Sequence, residues 1–221
     1  MTIAHVELRT HQWSHRSPVP LPELAFQHIL AAILRGEYVS GDRLDTARFA
    51  QELHMSLNPI REAIIRLRDI GLVEVTPARY TKVADFSAAD SCAALSYAGV
   101  LAGTALKKAL PTTAEGVRSE LAVHVEEIGG AVGDTSRNAA VIGFLTAVTD
   151  LIEHPRQAIH LVEATILAQC ALQFSGISRG DGVAQARSVA AEAAAHAMRA
   201  GDPDAVETAV RALFELSLIH I

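Results

Sequence analysis

Between residues 49 and 84 the apolar positions change period once, from that of a helix to that of a strand. Ile60, Ala63, Ile64 and Leu67 follow the i, i+3, i+4, i+7 spacing of a helix with one buried face. Before them, Phe49–Leu53 forms a shorter apolar-periodic run, and Leu24, Ala25, Ile29, Ala32 and Ile33 form another. The pattern predicts three helices. The first runs from Pro22 to about Arg35 and is ended by Gly36. The second, Ala47–Leu53, has Asp45 or Thr46 as its cap. The third is capped by Ser56, carries Pro59 in its first turn and ends at Gly71. Ser40-Gly41-Asp42 reads as a turn. Two β-prone runs follow, Leu72–Thr76 and Tyr80–Ala84, separated by Pro77-Ala78-Arg79, and this spacing predicts a hairpin. Three helices and a hairpin make a winged helix-turn-helix.

Beyond Phe86 the β-branched alternation stops. Ala, Leu and Val dominate, and Pro111, Gly129-Gly130, Pro155, Gly176 to Gly182 and Gly201 to Pro203 break the pattern. About six helices are predicted, over 87–109, 112–132, 137–152, 156–175, 181–200 and 203–218. Helices so apolar must bury most of their surface, in an all-α bundle or against a second copy. The expected fold class is therefore mainly α. It comprises an arm over 1–20, a winged-helix domain over 21–85 and a helical domain for effector binding and dimerisation over 86–221.

Charge sharpens this division. Residues 1–85 hold ten basic and ten acidic side chains, so the whole net charge of −6 falls on 86–221. Contacts with nucleic acid belong to the N-terminal part. The first twenty residues carry Glu7, Arg9, Arg16 and three His without a long apolar run, which reads as a flexible arm and not a signal peptide. No later run is long enough to span a membrane. Cys92 and Cys170 stand far apart in apolar helical contexts, as buried thiols of a reducing cytoplasm do.

The third helix carries the candidate chemistry. Its polar face shows Asn58, Arg61, Glu62, Arg66 and Arg68, and Arg and Asn are the side chains that bond guanine and adenine edges in a major groove. Charge alone would equally describe a solvated face in which arginines pair with Glu62 and Asp69. Register and wing favour a DNA reader. The rival from another class is a helical small-molecule binder or enzyme whose N-terminal unit docks a protein. No nucleophile–base pair, phosphate loop or Cys/His cluster speaks for an enzyme.

Gly41-Asp-Arg-Leu, Phe49-Ala-Gln-Glu-Leu, Ser56-Leu-Asn-Pro-Ile-Arg-Glu-Ala-Ile and Leu67-Arg-Asp-Ile-Gly-Leu-Val together resemble the GntR family of bacterial transcription regulators. The helical domain is similar to that of the FadR-type (FCD) subgroup. The resemblance implies DNA contacts from Arg48, from Ser56, Leu57 and Asn58, from Arg61, and from the wing at Ala78–Arg79, with Lys82 close by. Leu57 departs from the family, which commonly has Arg there. Losing a bidentate guanine contact removes about 1–3 kcal/mol of discrimination and leaves an apolar group for a thymine methyl.

The subgroup often holds a divalent metal through one Asp and three His. In the register set by Phe144 and by Ala197-Met-Arg-Ala-Gly-Asp-Pro-Asp-Ala-Val, those positions are Val141, Leu145, Ala191 and Leu213, all aliphatic. No metal or other cofactor is expected there, and the effector pocket should be apolar, with Tyr97 as its polar contact. A rival register pairs Asp150 with His154, with His160 or His196 adding a ligand, but Pro155 puts that pair at a helix end. What the resemblance implies is a cytoplasmic homodimer, most simply a repressor. It would bind double-stranded DNA at an inverted-repeat operator and be released by a small apolar or aromatic effector.

Overall fold

The computed structural model describes residues 19–77, 79–174 and 184–216. The expected arm, Ala78 and the apolar tail from Ser217 therefore lie outside the described residues, apart from Val19 and Pro20. The chain divides into two compact units, the first ending at Phe86 and the second beginning at Ser87. The fold is mainly helical, with one two-stranded antiparallel wing and an all-helical C-terminal region.

The first unit contains α1 (Leu21–Leu34), α2 (Thr46–Glu52), α3 (Leu57–Asp69), β1 (Val73–Thr76) and β2 (Tyr80–Val83). Its core is made by Ala25, Phe26, Ile29 and Ile33 of α1, Phe49 of α2, Ile60, Ala63, Ile64 and Leu67 of α3, and Leu72 and Val83 of the wing. Leu24, expected in the α1 stripe, is instead exposed. It lies one residue, or about 100° of helix, away from Ala25, on the side of His28 and Arg35. The strands pair in the register Val73↔Val83 to Thr76↔Tyr80. Gly41–Leu44 is more than the expected turn. Gly41 N–H donates to Val83 O, Val83 N–H to Asp42 O and Leu44 N–H to Thr81 O, so this segment adds a short third ribbon along β2.

The second unit contains α4 (Ala88–Ala109), α5 (Glu115–Gly130), α6 (Asp134–Thr149), α7 (Pro155–Phe174), α8 (Ala184–Ala200) and α9 (Pro203–Glu215). Ser87 and Asp90 close a capping box that starts α4: the Asp90 N–H donates to Ser87 Oγ and the Ser87 N–H to the Asp90 carboxylate, both at 3.1 Å. A hydrogen bond donated by the Ser87 hydroxyl, and after it the one from the Ser87 N–H, hold the Asp90 carboxyl below its ordinary pKa. A 3-10 turn at Leu110–Thr112 delays α5 to Glu115, and α6 starts at Asp134, three residues before its expected start. Asp202 caps α9, whose first residue is Pro203.

These helices share one core. Leu95, Leu106, Leu121, Val125, Phe144, Leu145, Val148, Leu161, Met198, Val210 and Phe214 are all buried in it. Phe144 and Phe214 stack at 6.2 Å between centroids, tilted by 39°. Arg199 forks onto Glu126 at 2.6 and 2.8 Å and ties α8 to α5. The α4 backbone comes so close to α9 that a Cβ added at Gly99 would stand 2.4 Å from Phe214 Cβ. No described helix is long and apolar enough to cross a membrane.

Candidate nucleic-acid interface

The turn between α2 and α3 is fixed at both ends. Asp45 caps α2 by accepting from the Ala47 and Arg48 N–H groups at 2.9 and 3.1 Å. At the other end His54 N–H donates to Gln51 O and Met55 N–H to Ala50 O, which is the Schellman pattern. That pattern needs a left-handed residue just past the helix, and His54 fills it with φ of 52°. A histidine there holds backbone strain that glycine would not.

Ser56 has the extended backbone of an N-cap, yet its side chain makes no capping bond, contrary to expectation. The reason is local. A capping hydroxyl accepts from the second or third helical N–H, and the third residue of α3 is Pro59, which has none. The Ser56 hydroxyl stays exposed beside the positive end of α3. Leu57, Asn58 and Arg61 are exposed on the same first turns, while Pro59 and Ile60 turn inward. Leu57, at 39% exposure, is an apolar group offered to solvent.

The arginines of α3 divide by partner. Arg66 reaches Glu23 of α1 at 2.6 Å, with its guanidinium 4.1 Å from the centre of the Phe26 ring. Arg68 pairs with Asp69 at 2.7 Å. Arg61 has neither an ion pair nor a hydrogen bond among the described residues. Arg48 of α2 is exposed and bonded to Glu52 at 2.7 Å, one turn away, and this bond raises its pKa. Of the pairings expected on a solvated face, Arg68 makes the one with Asp69, Arg66 turns to Glu23 of α1, and Arg61 makes none among the described residues.

The wing divides likewise. Lys82 lies between Asp85 and Glu74, and the hydrogen bonds that its ammonium donates to both carboxylates raise its pKa. Arg79 is exposed on the loop between β1 and β2, its N–H donating to Thr76 O at 3.0 Å. Arg43, absent from the sequence reading, is exposed and backbone-paired with Lys82. Its signal lay in the Gly41-Asp-Arg-Leu stretch, which reads as a turn until β2 is there to pair with it.

In the helical unit, Val141, Leu145, Ala191 and Leu213 are all buried in the common core, as an apolar interior requires. Tyr97 does not join them: it is 52% exposed on α4. Asp150 ends α6, while His154, His160 and His196 are exposed. Among the described residues no group of three or more His, Cys, Asp or Glu could hold a metal ion. Burial pushes the Cys170 thiol up to about 12, so it stays protonated.

Residues 22–83 match the family of bacterial regulatory proteins, gntR family. About nine-tenths of the chain shares its fold with solved structures. It is similar to McbR/YncC of E. coli (TM-score 0.61, 18% identity, over 90% of this chain and 95% of that one). It is equally similar to a GntR transcriptional regulator of Rhodococcus sp. RHA1 (TM-score 0.61, 20% identity, over 88% and 93%). Lar, which controls expression of the agr system in Listeria monocytogenes, has a TM-score of 0.52 at 18% identity over 91% of this chain and 97% of that one. No curated protein matches the sequence.

Proposed function

We propose that this chain, whose residues 22–83 are a gntR-family helix-turn-helix domain, is a cytoplasmic transcription regulator that binds operator DNA as a homodimer. The observation that carries the reading is the division of labour on α3. Its inner face is spent on the core, Arg66 and Arg68 are committed to neighbouring carboxylates, and Ser56, Leu57, Asn58 and Arg61 are left uncommitted at its exposed start. Arg61 and Asn58 would read base edges, Leu57 would meet a thymine methyl, and the Ser56 hydroxyl would take a phosphate. Arg79 would reach the backbone or the minor groove from the wing. Arg48 and Lys82 would have to trade their carboxylate partners for phosphates.

Two copies would place their α3 helices in successive major grooves about 34–36 Å apart, on an inverted repeat. The simplest regulatory outcome is repression relieved by a small molecule. We assign residues 87–216 to the FadR-type subgroup on the Ala197–Val206 stretch, which folds as the end of α8, the turn and the start of α9. The buried Val141, Leu145, Ala191 and Leu213 support an effector with an apolar body and no metal.

A mobility-shift assay with DNA from upstream of the chain's own gene tests this. Binding that weakens steeply with salt and is lost in Arg61→Ala is the expected result. Equal affinity of wild type and Arg61→Ala would place the reading surface elsewhere.

A further inference from the structure

Two arginines are buried at the α5–α6 connection of the helical unit. Arg137 of α6 and Arg187 of α8 are each only 7% exposed. Arg187 donates from Nε to Ile128 O at 3.1 Å and from Nη2 to Ala131 O at 3.3 Å, at the carbonyl end of α5. Arg137 donates from Nη1 to Asp134 at 2.8 Å, and its Nε is buried with no acceptor. The two charges are near enough to act on each other. Desolvation first and the charge of Arg137 second hold Arg187 below its ordinary pKa.

A structural role accounts for half of this. A cation at a helix C-terminus is favourable, and Arg187 ends α5 by taking its last carbonyls. That role leaves Arg137 unexplained. Its carboxylate partner, Asp134, is half exposed, and Arg187 is bonded to backbone carbonyls and to no carboxylate among the described residues. Buried charges are normally matched, and an orphaned buried donor is destabilising. One added carboxylate would correct both defects, because a guanidinium binds a carboxylate through two parallel N–H bonds. The surroundings suit an acid with an apolar body. Arg137 stands one turn before Val141 and Arg187 one turn before Ala191, and both of these are core residues.

We propose that Arg137 and Arg187 form a carboxylate-binding site that holds the acid end of the small-molecule effector. The proposal deepens the effector part of the reading above. It supplies the polar contact that exposed Tyr97 cannot make from inside the core.

The test is an NMR titration of the full chain with sodium benzoate, following arginine Nε–Hε resonances, and benzamide as the neutral isostere. The expected result is a saturable shift of the Arg137 Nε–Hε signal with benzoate and none with benzamide. Arg137→Lys keeps the charge but loses the fork, and should weaken benzoate binding about tenfold. No shift of the wild-type signal, or the same shift with benzamide, overturns the proposal whether or not the variant folds. The readout is binding alone. A failed mobility-shift assay would leave the site standing, and a missing Nε shift would leave DNA binding standing.

Discussion

Arg66 of α3 is tied to Glu23 of α1 at 2.6 Å, across 43 residues of sequence. The pair ties α3 to α1 and holds the Arg66 guanidinium over the Phe26 ring.

Arg61 and Arg66 should therefore respond oppositely to alanine. Arg61→Ala should keep the thermal transition and lose operator affinity by about tenfold or more, as expected for a base contact worth roughly 1–3 kcal/mol. Arg66→Ala should lose roughly 1 kcal/mol of stability through the missing ion pair and cation–π contact, and retain operator affinity while folded. Denaturant melts and mobility shifts on the two variants decide between these assignments.

Asp45 and Ser56 occupy the same kind of position with different consequences. Asp45→Ala removes two capping bonds and should cost about 1 kcal/mol. Ser56→Ala removes none, so its stability should stay within about 0.5 kcal/mol of wild type while operator binding weakens. A stability loss at Ser56 as large as that at Asp45 would mean the hydroxyl is a cap after all.

His54→Gly should raise stability by about 0.5–1 kcal/mol. Relief of the left-handed strain outweighs the extra freedom of glycine in the unfolded chain. Thermal denaturation measures it, and a lower Tm would show that the imidazole makes a compensating contact.

Cys170 sets an alkaline limit. Burial raises its thiol from 9.0 to about 12, so the contribution is present in full below pH 9. It declines as pH rises through that interval, by about 1.4 kcal/mol per pH unit, because the unfolded thiol ionises first. A thiol reagent at pH 8 should label Cys170 at the rate of unfolding, and Cys170→Ser should flatten the alkaline slope.

What could be read in advance followed from how local each cause is. The α3 stripe and the hairpin were legible because a period of 3.6 or of 2 is written within a few residues, and the core accepts both as they stand. The Arg66–Glu23 pair was not, since it depends on α1 packing against α3. Lys82 read as a free wing charge because Glu74 and Asp85 meet it only once the hairpin has formed. Ser56 read as a cap because the type of residue was right, although Pro59 had removed the donor. Arg137 and Arg187 carry a charge that composition alone places at the surface. Both are in phase with a buried row, 137–141–144–148 and 187–191–194–198, and that phase was the available signal.

The contact of Gly99 with Phe214 joins the first helix of the second unit to its last. Until α9 has been synthesised, the groove on α4 stays open, and the end of α5 likewise waits for Arg187 on α8. The helix-turn-helix belongs to the first unit, which ends at Phe86. During translation the first unit can thus be complete while the second is still emerging from the ribosome.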